Sequence, residues 1–278
     1  AEGASAATEV DAVAEKPGVT GVAALTDEGF AELTAAQQEK QGPYVPIRAF
    51  AGDVGNLCSI LPSEGRLPER PGEIMLFATW QTYGGLAVGD EVTFNVGQRV
   101  AVAAPDADAE TAEMEAGWGF AGEATAPHTI KDGTPLNSSM GYLQAAAGGA
   151  SFNEELVDEE PRTYTVVGFY DRSCYALSLS VGMAGLTVAD GTGGGGGAAS
   201  EAAGAASAAS DSDASDAAAA YADIYLAFSG VADAQQVRER AEALFPDDHV
   251  VLHTALLRYM GVSDGSAIWS TFYGIVLV

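Results

Sequence analysis

Residues 162–170 read Arg162-Thr-Tyr-Thr-Val-Val-Gly-Phe-Tyr170, the densest run of β-branched and aromatic side chains in the chain. Such side chains fit a pleated, packed surface, so the run predicts a strand. Tyr164 and Tyr170 are an even number of residues apart and are expected on one face of it, as core and rim rather than as ligands. Upstream, Val92, Phe94 and Val96 alternate with polar residues in Glu91-Val-Thr-Phe-Asn-Val96, the pattern of a half-buried strand, and Val88-Gly-Asp90 is the turn that leads into it. The prolines of Gly65-Arg-Leu-Pro-Glu-Arg-Pro-Gly72 forbid a helix, Pro71-Gly72 marks a turn, and Glu73–Phe77 follows as a strand.

Further out, the N-terminal part predicts a short helix with Thr8 as N-cap and Asp11 three residues on, stopped by Lys16-Pro-Gly18. A strand over Val19–Leu25, a second short helix over Asp27–Ala36 and a strand over Tyr44–Ala51 come next, with Pro46 suggesting an edge position. Residues 101–160 are acidic, Gly-rich and poorly periodic, a long, partly irregular excursion. Residues 191–220 are Gly, Ala and Ser with scattered acids and predict a disordered linker, because almost no large apolar side chain offsets the entropy of ordering. Ala222–Phe228 then reads as a strand. Val231, Ala234, Val237, Ala241, Leu244 and Phe245 recur at helical spacing, with Asp233 and Gln236 as a capping box and Pro246 as the stop. His249–His253 reads as a strand or tight connection.

The composition excludes several function classes. Of 278 residues, 39 are acidic and 12 basic, for a formal charge of −27. Such a chain repels phosphate backbones, so a nucleic-acid partner is not expected, whereas a cationic one is attracted. Hydrophobic residues make up 47%, enough for a substantial core. The run Trp269-Ser-Thr-Phe-Tyr-Gly-Ile-Val-Leu-Val278 reads as aromatics at a membrane interface followed by the start of a span, the other reading being a buried strand.

Catalytic and metal motifs were sought among the remaining residues. His249 and His253 lie four apart beside Asp247 and Asp248, but the segment reads as extended and no third ligand is spaced to join them, so no metal is expected. His128 stands by itself. Asp106-Ala-Asp-Ala-Glu110 lacks the glycine and distal Glu of a calcium loop and reads as a solvated acidic loop. Gly191–Gly197 has no strand before it and no Lys-Ser/Thr after it, so it is not a phosphate loop. No Gly-x-Ser-x-Gly elbow supports a nucleophile. Asn137-Ser-Ser139 is a formal glycosylation sequon. Arg66 and Glu73 read as a structural brace at a lobe junction. No catalytic residue and no cofactor is expected, and the chain is not expected to be an enzyme.

Five segments, in order, resemble FtsX-like (MacB-like) ABC-transporter permeases: EGRLPERPGEI (Glu64–Ile74), VGDEVTF (Val88–Phe94), RTYTVVGFYDR (Arg162–Arg172), ADIYLAF (Ala222–Phe228) and HTALLRYMGVSD (His253–Asp264). In that family the first three lie in the large extracytoplasmic loop after the first membrane helix. The last precedes the next span. The resemblance covers roughly residues 45–100 and 160–278, and leaves 101–160 and the glycine segment as private insertions.

The resemblance implies an α+β fold in two lobes. A split βαβ porter-like lobe would comprise residues 1–60 and 221–262, and an inserted mostly-β lobe residues 61–190. Residues 191–220 would link them, and 263–278 would be juxtamembrane segment and the start of a span. The implied role is the extracytoplasmic domain of a permease at the cell membrane. It would couple helix motion driven by a cytoplasmic ABC ATPase subunit to a substrate, an envelope ligand or a second permease copy outside. Two other readings stand beside it: a sensor or binding module for cationic antimicrobial peptides, and a secreted structural or adhesive protein. The resemblance also places Cys58 and Cys174 outside the cytoplasm, near the entry and exit of the inserted lobe. There they are either a disulfide closing a loop of about a hundred residues or two separately buried thiols.

Overall fold

The computed structural model describes residues 6–104, 114–116, 119–120, 123–124, 128–143, 152–171, 177–179, 181–188, 222–230 and 234–246. The fold is mixed α/β, with one large mixed sheet and short helices. In chain order come α1 (Ala6–Ala14), β1 (Val19–Glu32), α2 (Ala35–Gln41), β2 (Tyr44–Gly52), α3 (Val54–Cys58), β3 (Glu64–Gly65), β4 (Glu73–Phe77), α4 (Thr79–Thr82) and β5 (Glu91–Ala103). Five short strands follow: β6 (Met114–Ala116), β7 (Gly119–Phe120), β8 (Glu123–Ala124), β9 (His128–Ile130) and β10 (Pro135–Leu136). The rest are β11 (Phe152–Tyr170), β12 (Ser178–Leu179), β13 (Gly182–Met183), β14 (Gly185–Val188), β15 (Ala222–Phe228) and α5 (Ala234–Leu244).

The strand pairings run β5–β1–β2–β14–β4–β11 and return from β11 to β5, so six strands close into a barrel. Two of the seams, β2–β14 and β4–β11, are parallel, and the others are antiparallel. Alternate side chains fill the interior: Ala31, Val45, Ile47, Ile74, Leu76, Phe94, Val96, Tyr164 and Val166, with Trp80 of α4. On β14 the inward position is Gly185, where a Cβ would stand 2.8 Å from Ile74 Cδ1 and 3.2 Å from Leu76 Cδ2. The space is already taken.

Two further layers cover the outside. Val54 and Cys58 of α3 pack with Ala23, Leu25, Met75, Tyr170 and Leu186. Val10 of α1 packs with Val22 and Ala24, and β15 joins this layer by pairing antiparallel with β1 from Val19↔Phe228 to Thr26↔Ala222. Beyond the barrel β5 and β11 continue as a paired arm, which carries a separate core of Ala101, Ile130, Leu136, Met140, Leu143 and Phe152.

Four local expectations are corrected. Residues 27–32 continue β1, and the helix expected over Asp27–Ala36 is instead α2 at Ala35–Gln41, entered through a Thr34–Gln37 capping box. The reason is a register shift between Asp27 and Gly29, where Gly29 at φ +136° bends β1 toward β5. Tyr164 and Tyr170 do not share a face. A shift between Val166 and Gly168 inverts the alternation, so Tyr164 enters the barrel and Tyr170 the outer layer. Pro46 is not on an edge strand, since β2 is paired on both sides; the β14 ladder begins at Ile47, past the proline. Finally, Thr8 lies inside α1, whose described residues run from Ala6, rather than at its N-cap.

The strands over Glu73–Phe77 and Ala222–Phe228 have the expected bounds, and the expected strands at 91–96 and 162–170 are longer, as β5 and β11. The predicted linker 191–220 and the tail from residue 247 onward lie outside the described residues. Among the described residues no helix is long and apolar enough to cross a membrane.

Candidate functional site

Three segments apart in sequence, Glu64–Ile74, Val88–Phe94 and Arg162–Arg172, meet along β11. Gly65 and Glu64 of β3 pair with Gly168 and Phe169. The Arg66 amide donates to the Val167 carbonyl at 3.0 Å, and the Ser63 amide to the Phe169 carbonyl at 2.7 Å. From the second segment, the Gly89 amide donates to the Val166 carbonyl and the Val166 amide returns a bond to the Asp90 carbonyl, both at 2.8 Å. The Asp90 carboxylate closes its own turn by accepting from the Ala87 amide at 2.8 Å. The Thr165 amide donates to the Gly72 carbonyl at 2.8 Å, which fixes the turn ahead of β4.

An ion pair braces the same junction. Arg66 Nη1 and Nη2 donate to Glu73 Oε2 and Oε1 at 2.8 and 2.6 Å, the two-pronged geometry that guanidinium and carboxylate planes favour. The Glu69 amide adds a bond to Glu73 Oε2 at 2.8 Å. These donors, Arg66 foremost, hold the Glu73 carboxyl at a pKa of about 2. Arg66 and Glu73 pin the turn between β3 and β4.

Between the β3 end and the 88–90 turn lies a shallow groove of about 400 Å³, lined by Gly65, Arg66, Val88, Gly89 and Thr165–Val167. Most of its lining is glycine and valine, and its cation is already matched by Glu73. The groove brings together no nucleophile and base.

Sequence reasoning missed the two most deeply buried charges. Arg99, fully buried, makes a two-pronged pair with Glu154, also fully buried, at 2.9 and 2.8 Å. It also donates to the carbonyls of Asn137 and Gly141, at 3.0 Å each, and its guanidinium lies 5.1 Å from the centre of the Phe30 ring and 5.5 Å from that of Tyr44. Burial, with the Glu154 charge beside it, raises the Tyr44 phenol pKa well above its ordinary value. Arg48 is the second, with Asp223 Oδ2 at 2.8 Å from Nη2 and Asp27 Oδ1 at 2.9 Å from Nε. The signal available for Arg99 was a lone cation in the apolar stretch Val96–Ala103.

The remaining expected residues are scattered. Cys58, the last residue of α3, is buried, while Cys174 lies outside the described residues, as do Asp106–Glu110, His249 and His253. The backbone of His128 pairs with Ala116 at the start of β9. Asn137 of the sequon accepts from the Ser139 amide at 3.0 Å and hydroxyl at 2.6 Å, which closes a local turn. Among the described residues no three His, Cys, Asp or Glu side chains are grouped to hold a metal ion. No protein-family model matches the chain, and no curated protein matches it.

Proposed function

We propose that this chain is the extracytoplasmic domain of an FtsX-like ABC-transporter permease and acts without catalysing a reaction. The observation that carries this reading is the convergence of Glu64–Ile74, Val88–Phe94 and Arg162–Arg172 on one point of the barrel. Segments that resemble a family only by accident have no reason to meet in space. Here they interlock through backbone hydrogen bonds, close-approach glycines and an ion pair. Such a junction fixes a scaffold and holds no reacting group, which suits a domain that transmits motion.

On this reading the porter-like lobe comprises residues 1–60 with 221–262, and the inserted lobe residues 61–190. Both contribute strands to one barrel, so force entering at β15 reaches β4 and β11 through β1, β2 and β14. The membrane-bound partners would be a cytoplasmic ATPase subunit and a second permease copy. The −27 charge favours a second reading, capture of a cationic peptide outside the cell.

Topology mapping of the natural full-length protein tests the first reading. Single cysteines placed on exposed Leu61 and Tyr83 should react with a membrane-impermeant reagent on intact cells, in a protein with apolar spans on both sides of this chain. Reaction only after permeabilisation, or a full-length protein without such spans, rejects the reading. Peptide titration at low and high salt tests the second, whose affinity must fall steeply as salt rises.

A further inference from the structure

Three aromatic rings form a column that runs from the core to solvent. Phe30 of β1 and Tyr44 of β2 meet edge to face with 6.3 Å between ring centres, and Tyr44 meets Tyr142 in the same manner at 6.0 Å. The inner two rings already hold a cation, because the Arg99 guanidinium lies 5.1 Å from the centre of the first and 5.5 Å from that of the second. Glu154 matches that charge with a two-pronged pair. The third ring has a different setting. Tyr142 is 43% exposed, against 4% for Tyr44 and 1% for Phe30.

Tyr142 is exposed but not loose. The Gly141 carbonyl accepts from Arg99 Nη2 at 3.0 Å and the Leu143 amide donates to Glu154 Oε2 at 2.8 Å, so both chain neighbours of the tyrosine are tied to the buried ion pair. A ring held in this way loses little further freedom when something binds against it. A carboxylate stands beside it. Glu32 pairs with Tyr44 across the β1–β2 ladder, so the two side chains share a face, and Phe30, two residues earlier on β1, shares it too. Glu32 is exposed, and among the described residues its carboxylate makes no ion pair or hydrogen bond. Its charge is felt at Tyr142: burial first, then the charges of Glu154 and Glu32, raise the phenol pKa, while Arg99 opposes the rise.

We propose that Tyr142 and Glu32 form a surface receptor for a guanidinium, the arginine side chain of a cationic peptide. The guanidinium would lie against the exposed Tyr142 ring and donate to the Glu32 carboxylate. That repeats at the surface what Arg99 does inside, where aromatic rings and one carboxylate hold the same group. A guanidinium is planar and weakly hydrated, so it stacks on a ring at little cost, whereas a lysine ammonium keeps its water more tightly. The ring supplies what net charge does not. A charge of −27 attracts any cation to the whole surface, while an aromatic beside a carboxylate selects one place and one kind of cation. The site deepens the cationic-peptide reading and rests on it.

Calorimetric titration of the whole 278-residue chain with an oligo-arginine peptide and an oligo-lysine peptide of equal length, both at low salt, tests it. The arginine peptide should bind severalfold more tightly. Tyr142→Leu leaves the net charge unchanged and should weaken arginine-peptide binding about threefold to tenfold, the scale of one cation–π contact. Tyr142→Phe keeps the ring and should keep the affinity. Glu32→Gln should weaken binding more than Glu91→Gln, which removes another exposed acid at the start of β5. Unchanged affinity in Tyr142→Leu, or equal losses in Glu32→Gln and Glu91→Gln, overturns the site and leaves the cationic-peptide reading standing, with the peptide held by diffuse charge. Failure of both peptides to bind the wild-type chain overturns the site and that reading together.

Discussion

Gly65 and Gly168 stand opposite one another where β3 meets β11, and at neither position does the facing backbone leave room for a side chain. A Cβ on Gly65 would press on the Val167 carbonyl oxygen and lie 2.8 Å from Gly168 Cα. A Cβ on Gly168 would press on the Arg66 carbonyl oxygen and lie 3.0 Å from the Arg66 nitrogen. Those neighbours are backbone and cannot rotate away. Gly65 also sits at φ +74°, where an L side chain adds strain of its own.

Gly168→Ala and Gly65→Ala should therefore each lower stability by about 2–4 kcal/mol, the range of severe local strain. Gly72 is the control. It too has positive φ, +81°, but a Cβ there meets nothing within 4 Å, so Gly72→Ala should cost only about 1–2 kcal/mol. Urea unfolding at neutral pH measures all three. Equal losses at Gly72 and Gly168 would contradict the packing argument.

The Arg66–Glu73 brace predicts an acid response with a definite sign. Glu73 has its pKa lowered from 4.5 in an open chain to about 2 in the fold. The folded state therefore favours the carboxylate. The stabilisation is complete above pH 4.5 and disappears as pH falls through about 2. Arg66 is 40% exposed, so solvent screens the pair and its contribution is small. Glu73→Gln should shift the urea midpoint down by a few tenths of a molar at pH 7 and by much less at pH 2, where the folded carboxyl is already half protonated. A gap that persists at the acid end would mean that the charge is not what matters.

Arg99 and Glu154 make a sharper case, because neither side chain has exposed surface. Removing one partner strands a buried charge, at a cost of about 3–5 kcal/mol. Glu154→Gln should come near that range and should loosen the 137–143 segment, whose carbonyls and Leu143 amide are tied to the pair. Arg99→Met with Glu154→Leu removes both charges and should recover much of the loss. A double variant no more stable than the single one would show that the carbonyl contacts, rather than the charge balance, dominate. Denaturant titration of the three proteins decides it.

How much of this was legible depends on how far the cause lay from the effect in sequence. β4 and β15 were readable to the residue, because Pro71-Gly72 marks the start of one and an apolar run interrupted at Asp223 defines the other. The brace was readable because Arg66 and Glu73 are seven residues apart around a forced turn. The barrel was not. It closes where alternation is broken, at Gly29, at Gly97 and between Val166 and Gly168, and a period-two pattern cannot foresee the phase after a bulge. Arg99 escaped because its partner lies 55 residues away, in a stretch whose acids read as solvated. The first half of β1 read as strand, but Asp27-Glu28-Gly29 looked like the start of a helix. Pairing with β2 and β5 overrode that local preference.

That override makes Gly29 the residue on which closure turns. The β1–β5 seam consists of two residue pairs, Phe30↔Gly97 and Ala31↔Val96, and is far shorter than the β5–β11 ladder. At φ +136° the Gly29 backbone lies outside what a β-branched residue adopts, and a Cβ would stand 2.6 Å from Val96 Cγ1 and 2.9 Å from the Gly97 carbonyl oxygen. Gly29→Val should push β1 off β5 while leaving the longer ladders intact. In hydrogen exchange, amides of residues 30–32 and 96–97 should lose protection by at least about tenfold, while β4 and the 162–165 part of β11 keep theirs. Overall stability should fall by about 3 kcal/mol, from backbone strain together with the displaced Val96 contact. Uniform loss across the sheet would instead show that the barrel opens as one cooperative unit, and unchanged protection at 30–32 would show that this seam does not depend on the glycine.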